Sequence, residues 1–294
     1  MTTRLSALRR SLVRLLLQED LNFLLTNRIP RRFATKLVGR IARVEHPLVR
    51  VPALAAWRFF AGPDLSDAAT LRFRSLKDGF TRRLRPGARS FDPDPSVLAS
   101  PCDAIVGAHG RIEGDALYQV KGFPYRLQDL IPDRAVAATF EHGWFVTLRL
   151  TAAMYHRFHA PARMTVEGVR YLSGDCWNVN PIALKRVERL FCRNERVVIE
   201  ARLAGGTPVL LVPVAAILVA SIRLAFMDTE PMARDLRRAR VACDVALAKG
   251  AEMGWFEHGS TILVFLPAGA VGSTDLVEGQ EIRAGEALAV LAGG

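Results

Sequence analysis

The chain has 294 residues, half of them hydrophobic, with 40 Lys and Arg against 29 Asp and Glu and a formal net charge of +11. It is too apolar for a disordered polymer, long enough for one large domain or two small ones, and basic enough to seek anionic partners. Four dispersed cysteines (Cys102, Cys176, Cys192, Cys243), with no CxxC pair and no Cys/His cluster at zinc spacing, speak against a structural metal and read as reduced thiols on a cytosolic face.

In chain order, Leu5, Leu8, Leu12, Leu15 and Leu16 recur at three- and four-residue spacing and predict a helix over 4–25. Pro30 ends it, a second helical stretch covers about 31–45, and 47–60 is a further apolar piece with Trp57, Phe59 and Phe60. Arginines interrupt the first segment and no small-residue cleavage site follows, so no secretory signal is expected there. Among the first fifty residues Glu19, Asp20 and Glu45 stand against eleven Arg and Lys. Two readings fit equally: a basic surface lying on anionic lipid, or a helical cap whose arginines are merely solvated.

From about residue 90 the texture changes. Short β-branched runs alternate with Gly, Pro, Asp and Asn: Ala104–Val106, Phe145–Leu150, Val197–Ala201, Val209–Val212 and Ile217–Ile222. Residues 203–222 carry no charge and are long enough to span a bilayer. Gly205, Gly206, Pro208 and Pro213 interrupt them, which favours two buried strands over one helix. The tail, 277–290, has the Gly-turn rhythm of the closing hairpin of biotinyl and lipoyl domains, without the lysine that would carry such a group. The expected fold class is α+β: an antiparallel-rich β core, a basic helical N-terminal segment and a barrel- or hammerhead-like C-terminal hairpin. The expected division is 1–65 and 66–294.

Three features carry candidate chemistry. In Tyr155-His156-Arg157-Phe158-His159-Ala160-Pro161, spacing of three puts His156 and His159 on one face if the segment is a helical turn. Asp103, after Ser100-Pro101-Cys102, sits at a strand entrance, placed to orient an imidazole as triad acids do, although turn aspartates are common. Gly-Ser-Thr occurs at 259–261 and at 272–274. A self-cutting site needs a serine Oγ that reaches the preceding carbonyl carbon, and a glycine before it leaves that carbon unshielded. Both copies meet the requirement, so spacing does not choose between them.

These residues together resemble the phosphatidylserine decarboxylase family. The resemblance rests on Phe91–Pro95, Ser100–Asp103, Lys121–Leu127, Tyr155–Pro161, Asn178–Asn180, Asn194–Val197 and Lys249–Phe256 leading to Gly259-Ser260-Thr261, in the family's order. It selects the first Gly-Ser-Thr, because the Lys-Gly-Ala-Glu-Met-Gly stretch precedes only that copy. Two departures stand out: His258 where the family most often has Leu, and Pro101-Cys102-Asp103-Ala104 in place of Pro-Ala-Asp-Gly.

The resemblance implies a mechanism in two stages. Asp103 holds His159, His159 takes the proton of Ser260, and Ser260 Oγ attacks the Gly259 carbonyl to give an ester. Elimination leaves dehydroalanine, which tautomerises and hydrolyses, so that 1–259 separates from a small chain, 260–294, headed by a pyruvoyl group. The pyruvoyl, which is the implied cofactor and derives from Ser260, takes the amine of phosphatidylserine as a Schiff base and accepts the electrons released with CO2. His156 or His159 returns the proton to the product carbon. Residues 1–65 are then a membrane-docking segment, and the protein is peripheral on the cytoplasmic face of the membrane. Its partners are anionic phospholipid and its own small chain. A homodimer is implied, but no metal and no nucleic acid, since no nucleic-acid motif accompanies the charge. Two alternatives remain: an unprocessed Ser-His-Asp lipid esterase, which lacks a Gly-x-Ser-x-Gly elbow, and a decarboxylase of archaeal-type serine phospholipids.

Overall fold

The computed structural model describes residues 18–118, 123–217, 221–234, 239–257 and 260–292. Most of the predicted 4–25 helix, and His258 and Gly259, therefore lie outside the described residues. The helical N-terminal part is α1 (Glu19–Asn27), α2 (Arg31–Ala42) and α3 (Pro47–Ala61), followed by the short α4 (Leu76–Phe80). Gln18 caps α1 by accepting from the Leu21 N–H at 2.8 Å. Gly62, at φ +63°, closes α3 in the left-handed conformation that glycine adopts most easily. Trp57 of α3 packs with Phe73 and Phe80 in a small core of its own, and its indole N–H donates to the Ala152 carbonyl at 2.8 Å.

The β part begins with β1 (Val97–Ala99), β2 (Ala104–Arg111), β3 (Ala116–Tyr118), β4 (Pro124–Arg126) and β5 (Trp144–Leu150). It continues with β6 (Arg157–His159), β7 (Met164–Leu172), β8 (Arg196–Leu203), β9 (Pro208–Ala215) and β10 (Ile222–Leu224). The last strands are β11 (Arg240–Leu247), β12 (Glu252–Phe256), β13 (Ser260–Leu266), β14 (Val271–Ser273), β15 (Glu281–Ile282) and β16 (Ala287–Leu291). The main sheet has eight strands in the order β11-β7-β8-β9-β13-β5-β2-β15, every neighbouring pair antiparallel.

β13 lies between β5 and β9, and all seven of its residues are buried. Its side chains alternate as a pleat requires. Ile262, Val264 and Leu266 enter one core with Val146, Leu148 and Leu211. Leu263 and Phe265 enter the other with Phe145, Leu210 and Val212. A strand buried on both faces reads as an unbroken apolar run, which explains the charge-free texture of this segment and of 203–222. The latter resolves into the end of β8, a turn at 204–207, and β9. Among the described residues no helix is long and apolar enough to cross a membrane.

A three-stranded sheet, β10-β12-β6, packs on the first of these faces through Phe158, Met253, Phe256 and Ile222. The strand expected over 217–222 instead begins at Ile222, with 218–220 outside the described residues. The C-terminal hairpin is open: β16 pairs with β1 and β14, while β15 joins the main sheet beside β2. The fold is thus α+β with antiparallel sheets, as expected, and no barrel closes among the described residues.

Candidate active site

His156 and His159 do not share a helical face. Arg157–His159 is strand β6, paired with β12, and in a strand residues three apart point to opposite sides. The helical-turn expectation fails because Phe158 is a core residue of the sheet, so the period here is two. Arg157 and His159 consequently project away from that core. The Arg157 guanidinium donates twice to the Thr81 carbonyl and to Glu252 Oε1 at 2.6 Å, and lies 5.2 Å from the Trp255 ring centre.

His159 is held by both ring nitrogens. Nδ1 lies 2.9 Å from the Gly250 carbonyl oxygen, which only accepts, so Nδ1 carries the proton. Nε2 then accepts from the Tyr155 hydroxyl at 3.1 Å. Burial pushes the imidazole below its ordinary 6.5, outweighing the Gly250 bond and the Glu252 and Asp103 carboxylates, which pull the other way. His159 is therefore neutral at pH 7, with its basic nitrogen at Nε2. Gly250 sits at φ +81°, and a Cβ there would come within 2.9 Å of the Phe91 ring. Glycine is required at the point where the chain presents its carbonyl to the histidine.

Asp103 immediately precedes β2, at the expected strand entrance. Its carboxylate accepts from Arg89 Nε at 2.8 Å and Nη2 at 2.5 Å, and from the Ala284 backbone N–H at 2.9 Å. Arg89 also donates to Asp67 at 2.9 Å, and its guanidinium carbon lies 6.0 Å from the Tyr155 ring centre. The Asp103 bond, above all, raises the Arg89 pKa. Among the described residues Asp103 and His159 share no hydrogen bond; the connection runs Asp103, Arg89, Tyr155, His159. Arg89, Tyr155, His159 and Lys249 line one cavity of about 580 Å³, which Ser260 does not line.

Ser260 is the first residue of β13, opposite Leu150 and Ala215, with no exposed surface. Its Oγ has no hydrogen-bond partner among the described residues. A buried hydroxyl left in that state costs roughly 1–3 kcal/mol. Its parity with Ile262 and Val264 directs it to the face on which the β6 sheet packs. His156, also fully buried, lies at the head of β6, where its carbonyl accepts from the Phe256 N–H at 2.9 Å, four residues before Ser260. Its ring meets Phe80 edge-on at 5.3 Å. The structure thus brings His156 and Ser260 to the same end of one face, and gives His159 and Asp103 a separate, linked position. Ser273 of the second Gly-Ser-Thr is exposed.

Sequence reasoning passed over Arg89, Tyr155, Gly250 and Glu257. Tyr155 and Gly250 lie inside conspicuous motifs, but Arg89 is one of 40 basic residues with nothing to distinguish it. Glu257, three residues before Ser260, is almost wholly buried and ion-paired to Lys77 at 2.5 Å, Arg43 at 3.0 Å and Arg223 at 4.0 Å. Burial pushes its carboxyl up, yet the bonds from Lys77 and Arg43 prevail and hold it below the ordinary range.

The ordered motifs and antiparallel α+β core define an enzyme class that comparison makes specific. The family model described as phosphatidylserine decarboxylase matches residues 76–290. A phosphatidylserine decarboxylase proenzyme of Halorhodospira halophila is 38% identical over 270 residues, 88% of this chain and 90% of the relative. Proenzymes of the same description from an Anaeromyxobacter species and from Bordetella pertussis are 37% and 34% identical, over 88% and 89% of this chain and 94% and 91% of the relatives. The chain belongs to the phosphatidylserine decarboxylase family, and so to the carboxy-lyases.

Proposed function

We propose that the chain cuts itself between Gly259 and Ser260 and, with the new end of the small chain converted to a pyruvoyl group, decarboxylates phosphatidylserine to phosphatidylethanolamine and CO2. Family membership, with relatives described as proenzymes, is the observation that carries this reading. The fit at residue 260 supports it. The Ser260 hydroxyl is buried, unpartnered among the described residues, and set among apolar side chains that exclude water. A pyruvoyl carbonyl supplies an electron sink for the pair released when a carboxylate departs. This chain's residues do the rest: His159, neutral with its basic nitrogen at Nε2, is the base assigned to Ser260, taking its proton once Nε2 exchanges the Tyr155 hydroxyl for that of Ser260, and Asp103 steadies it through Arg89 and Tyr155. His156, buried at the head of β6, is assigned the return of a proton to the product carbon.

Intact mass of the purified protein tests the cut, and CO2 release from phosphatidylserine tests the reaction. Two chains meeting at Gly259/Ser260, the smaller with a blocked end, and CO2 release are the expected results. One uncut chain that releases CO2 at the same rate would remove the self-processing step.

Membrane docking through the N-terminal helices belongs to the same proposal. Phe33, Leu37 and Ile41 of α2, spaced four apart, are 68%, 44% and 42% exposed, and Leu48 and Val51 of α3 are 81% and 57% exposed. Fully transferring such a side chain from water to hydrocarbon contributes roughly 1.5–3 kcal/mol, and each nearby cation about 1 kcal/mol at an anionic leaflet. Phe33→Ser combined with Leu37→Ser is expected to weaken partition onto vesicles containing phosphatidylglycerol at least tenfold, with helix content by circular dichroism unchanged. Equal partition of the variant and the parent would refute docking through α2.

A further inference from the structure

Beside α2 lies a larger cavity, about 1050 Å³, walled on its other sides by residues 173–177 and 192–196 and reaching Glu257. Its acidic groups are all engaged. Asp175 pairs with Arg31 at 2.6 Å, Glu195 accepts from the Tyr171 hydroxyl at 2.5 Å, and Glu257 is held by Lys77 and Arg43. Arg196 spends its guanidinium on the carbonyls of Leu130, Cys192, Asn194 and Asp129. Three cations of the lining, Lys36, Arg40 and Arg193, have no ion-pair partner among the described residues. Three like charges around one concavity favour an anion between them.

The cavity's position says which anion. Lys36 and Arg40 are one turn apart on α2, the helix whose exposed Phe33, Leu37 and Ile41 form an apolar stripe. A helix lying in a bilayer interface with that stripe in the acyl region carries these two cations at the level of the phosphates. The opposite wall leads to Ser260. The Glu195 carbonyl accepts from Ala215 N at 2.8 Å, and Ala215 faces Ser260 on the next strand. Two strand spacings, roughly 10 Å, separate the cavity wall from the reacting residue. Contacts fix α2 against this wall: the Arg31 guanidinium lies 3.6 Å from the Trp177 ring centre, and Thr35 Oγ1 lies 3.3 Å from Cys176 Sγ.

We propose that this cavity is the seat of the phosphodiester of a membrane phospholipid, bound by Lys36, Arg40 and Arg193 as its head group is drawn from the leaflet toward residue 260. The inference deepens the decarboxylase reading and rests on it for the identity of the head group. The probe is dihexanoyl phosphatidylglycerol kept below its micelle concentration, which has the phosphodiester but neither the amine nor the carboxylate that would react. Binding is measured by calorimetry on the full chain, with inorganic phosphate and dihexanoylglycerol as comparison ligands.

Lys36→Gln combined with Arg40→Gln is expected to raise the Kd for the lipid at least tenfold. Lys36→Arg with Arg40→Lys should restore it, and Arg134→Gln, an exposed change outside the cavity, should leave it within twofold. Inorganic phosphate and dihexanoylglycerol should each bind at least tenfold more weakly than the lipid. Unchanged lipid affinity in the double variant would overturn the proposal. So would inorganic phosphate binding as tightly as lipid, which would mark an anion site without lipid specificity. CO2 release from phosphatidylserine, assayed on the same preparations, separates the two readings. Without CO2 release but with the tenfold loss, the cavity stands and the decarboxylase fails; the reverse pattern leaves the enzyme and removes the cavity.

Discussion

Ser260→Ala is expected to give a single uncut chain with no pyruvoyl group at residue 260 and no release of CO2 from phosphatidylserine. The cut requires an oxygen nucleophile next to the Gly259 carbonyl, and alanine has none, so the expected fall in processing is on the order of 10³-fold or more. Loss of fold is not the cause. Ser260 lies in a fully buried strand among Leu150, Ala215 and Ile262, and its Oγ makes no hydrogen bond among the described residues. Removing that hydroxyl relieves a buried polar group, and the thermal midpoint should hold or rise. Ser260→Cys keeps a nucleophile of similar size and should retain slow processing. Ser273→Ala changes an exposed residue of β14 and should process normally. The assignment of the cut fails if Ser273→Ala blocks it and Ser260→Ala does not.

The place of Ser260 at the head of a buried strand was legible in the sequence, while its surroundings were not. The apolar run after it, Ile262–Leu266, is a period-free stretch of five residues, and such a run marks a central strand buried on both faces. Gly205, Gly206 and Pro208 likewise placed a turn between strands where hydropathy alone allowed a membrane helix, whereas Pro213 lies within β9. These signals are local. The position of His159 is not. Its spacing from His156 suits a helix, and only pairing of β6 with β12 turns the two rings apart. Arg89 was illegible for a similar reason: its partners Asp67 and Asp103 lie 22 and 14 residues away, and its role depends on where the loop folds back. Glu257 is the plainest case. A glutamate in a turn reads as solvated, but Arg43, Lys77 and Arg223 reach it from three separate segments, one of them the N-terminal helical region.

That ion cluster joins several observations. Arg43 follows α2, the helix that carries both the exposed apolar stripe and two cations of the larger cavity, Lys36 and Arg40. The same residues that place α2 against the core therefore reach to within three residues of Ser260. The Asn178 and Asn180 positions, conspicuous in the sequence without an evident task, dock α1: Asn180 Nδ2 donates to Asn22 Oδ1 at 2.7 Å, and Asn178 N donates to Asn27 Oδ1. The N-terminal helices are attached to the β core at the end where Ser260 begins β13, so a lipid held by them as proposed would arrive near Ser260 rather than at a distance from it.

Asp103→Ala is expected both to stop processing and to destabilise the protein by about 3 kcal/mol, because it strands a buried guanidinium. The Arg89 and Asp103 side chains are only 12% and 11% exposed, and Asp67, the remaining partner of Arg89, is 31% exposed and compensates in part. The loss also frees the Ala284 N–H, and Ala284 belongs to the segment that would become the small chain. Asp103→Asn keeps the shape and separates the effects. If Asp103 acts through Arg89 and Tyr155, then Asp103→Asn and Arg89→Met should slow processing to within threefold of each other, and the double variant should add little. If instead the carboxylate must touch the imidazole directly, Arg89→Met releases Asp103 and processing should hold or quicken while Asp103→Asn stops it. The pH profile gives a second readout. The Asp103 charge raises the His159 pKa, against the burial that lowers it. Removing that charge in Asp103→Asn moves the imidazole further down, so the acid limb of the processing rate should shift to lower pH even as the maximal rate falls. An unshifted acid limb with a merely lower rate would assign Asp103 a structural role alone.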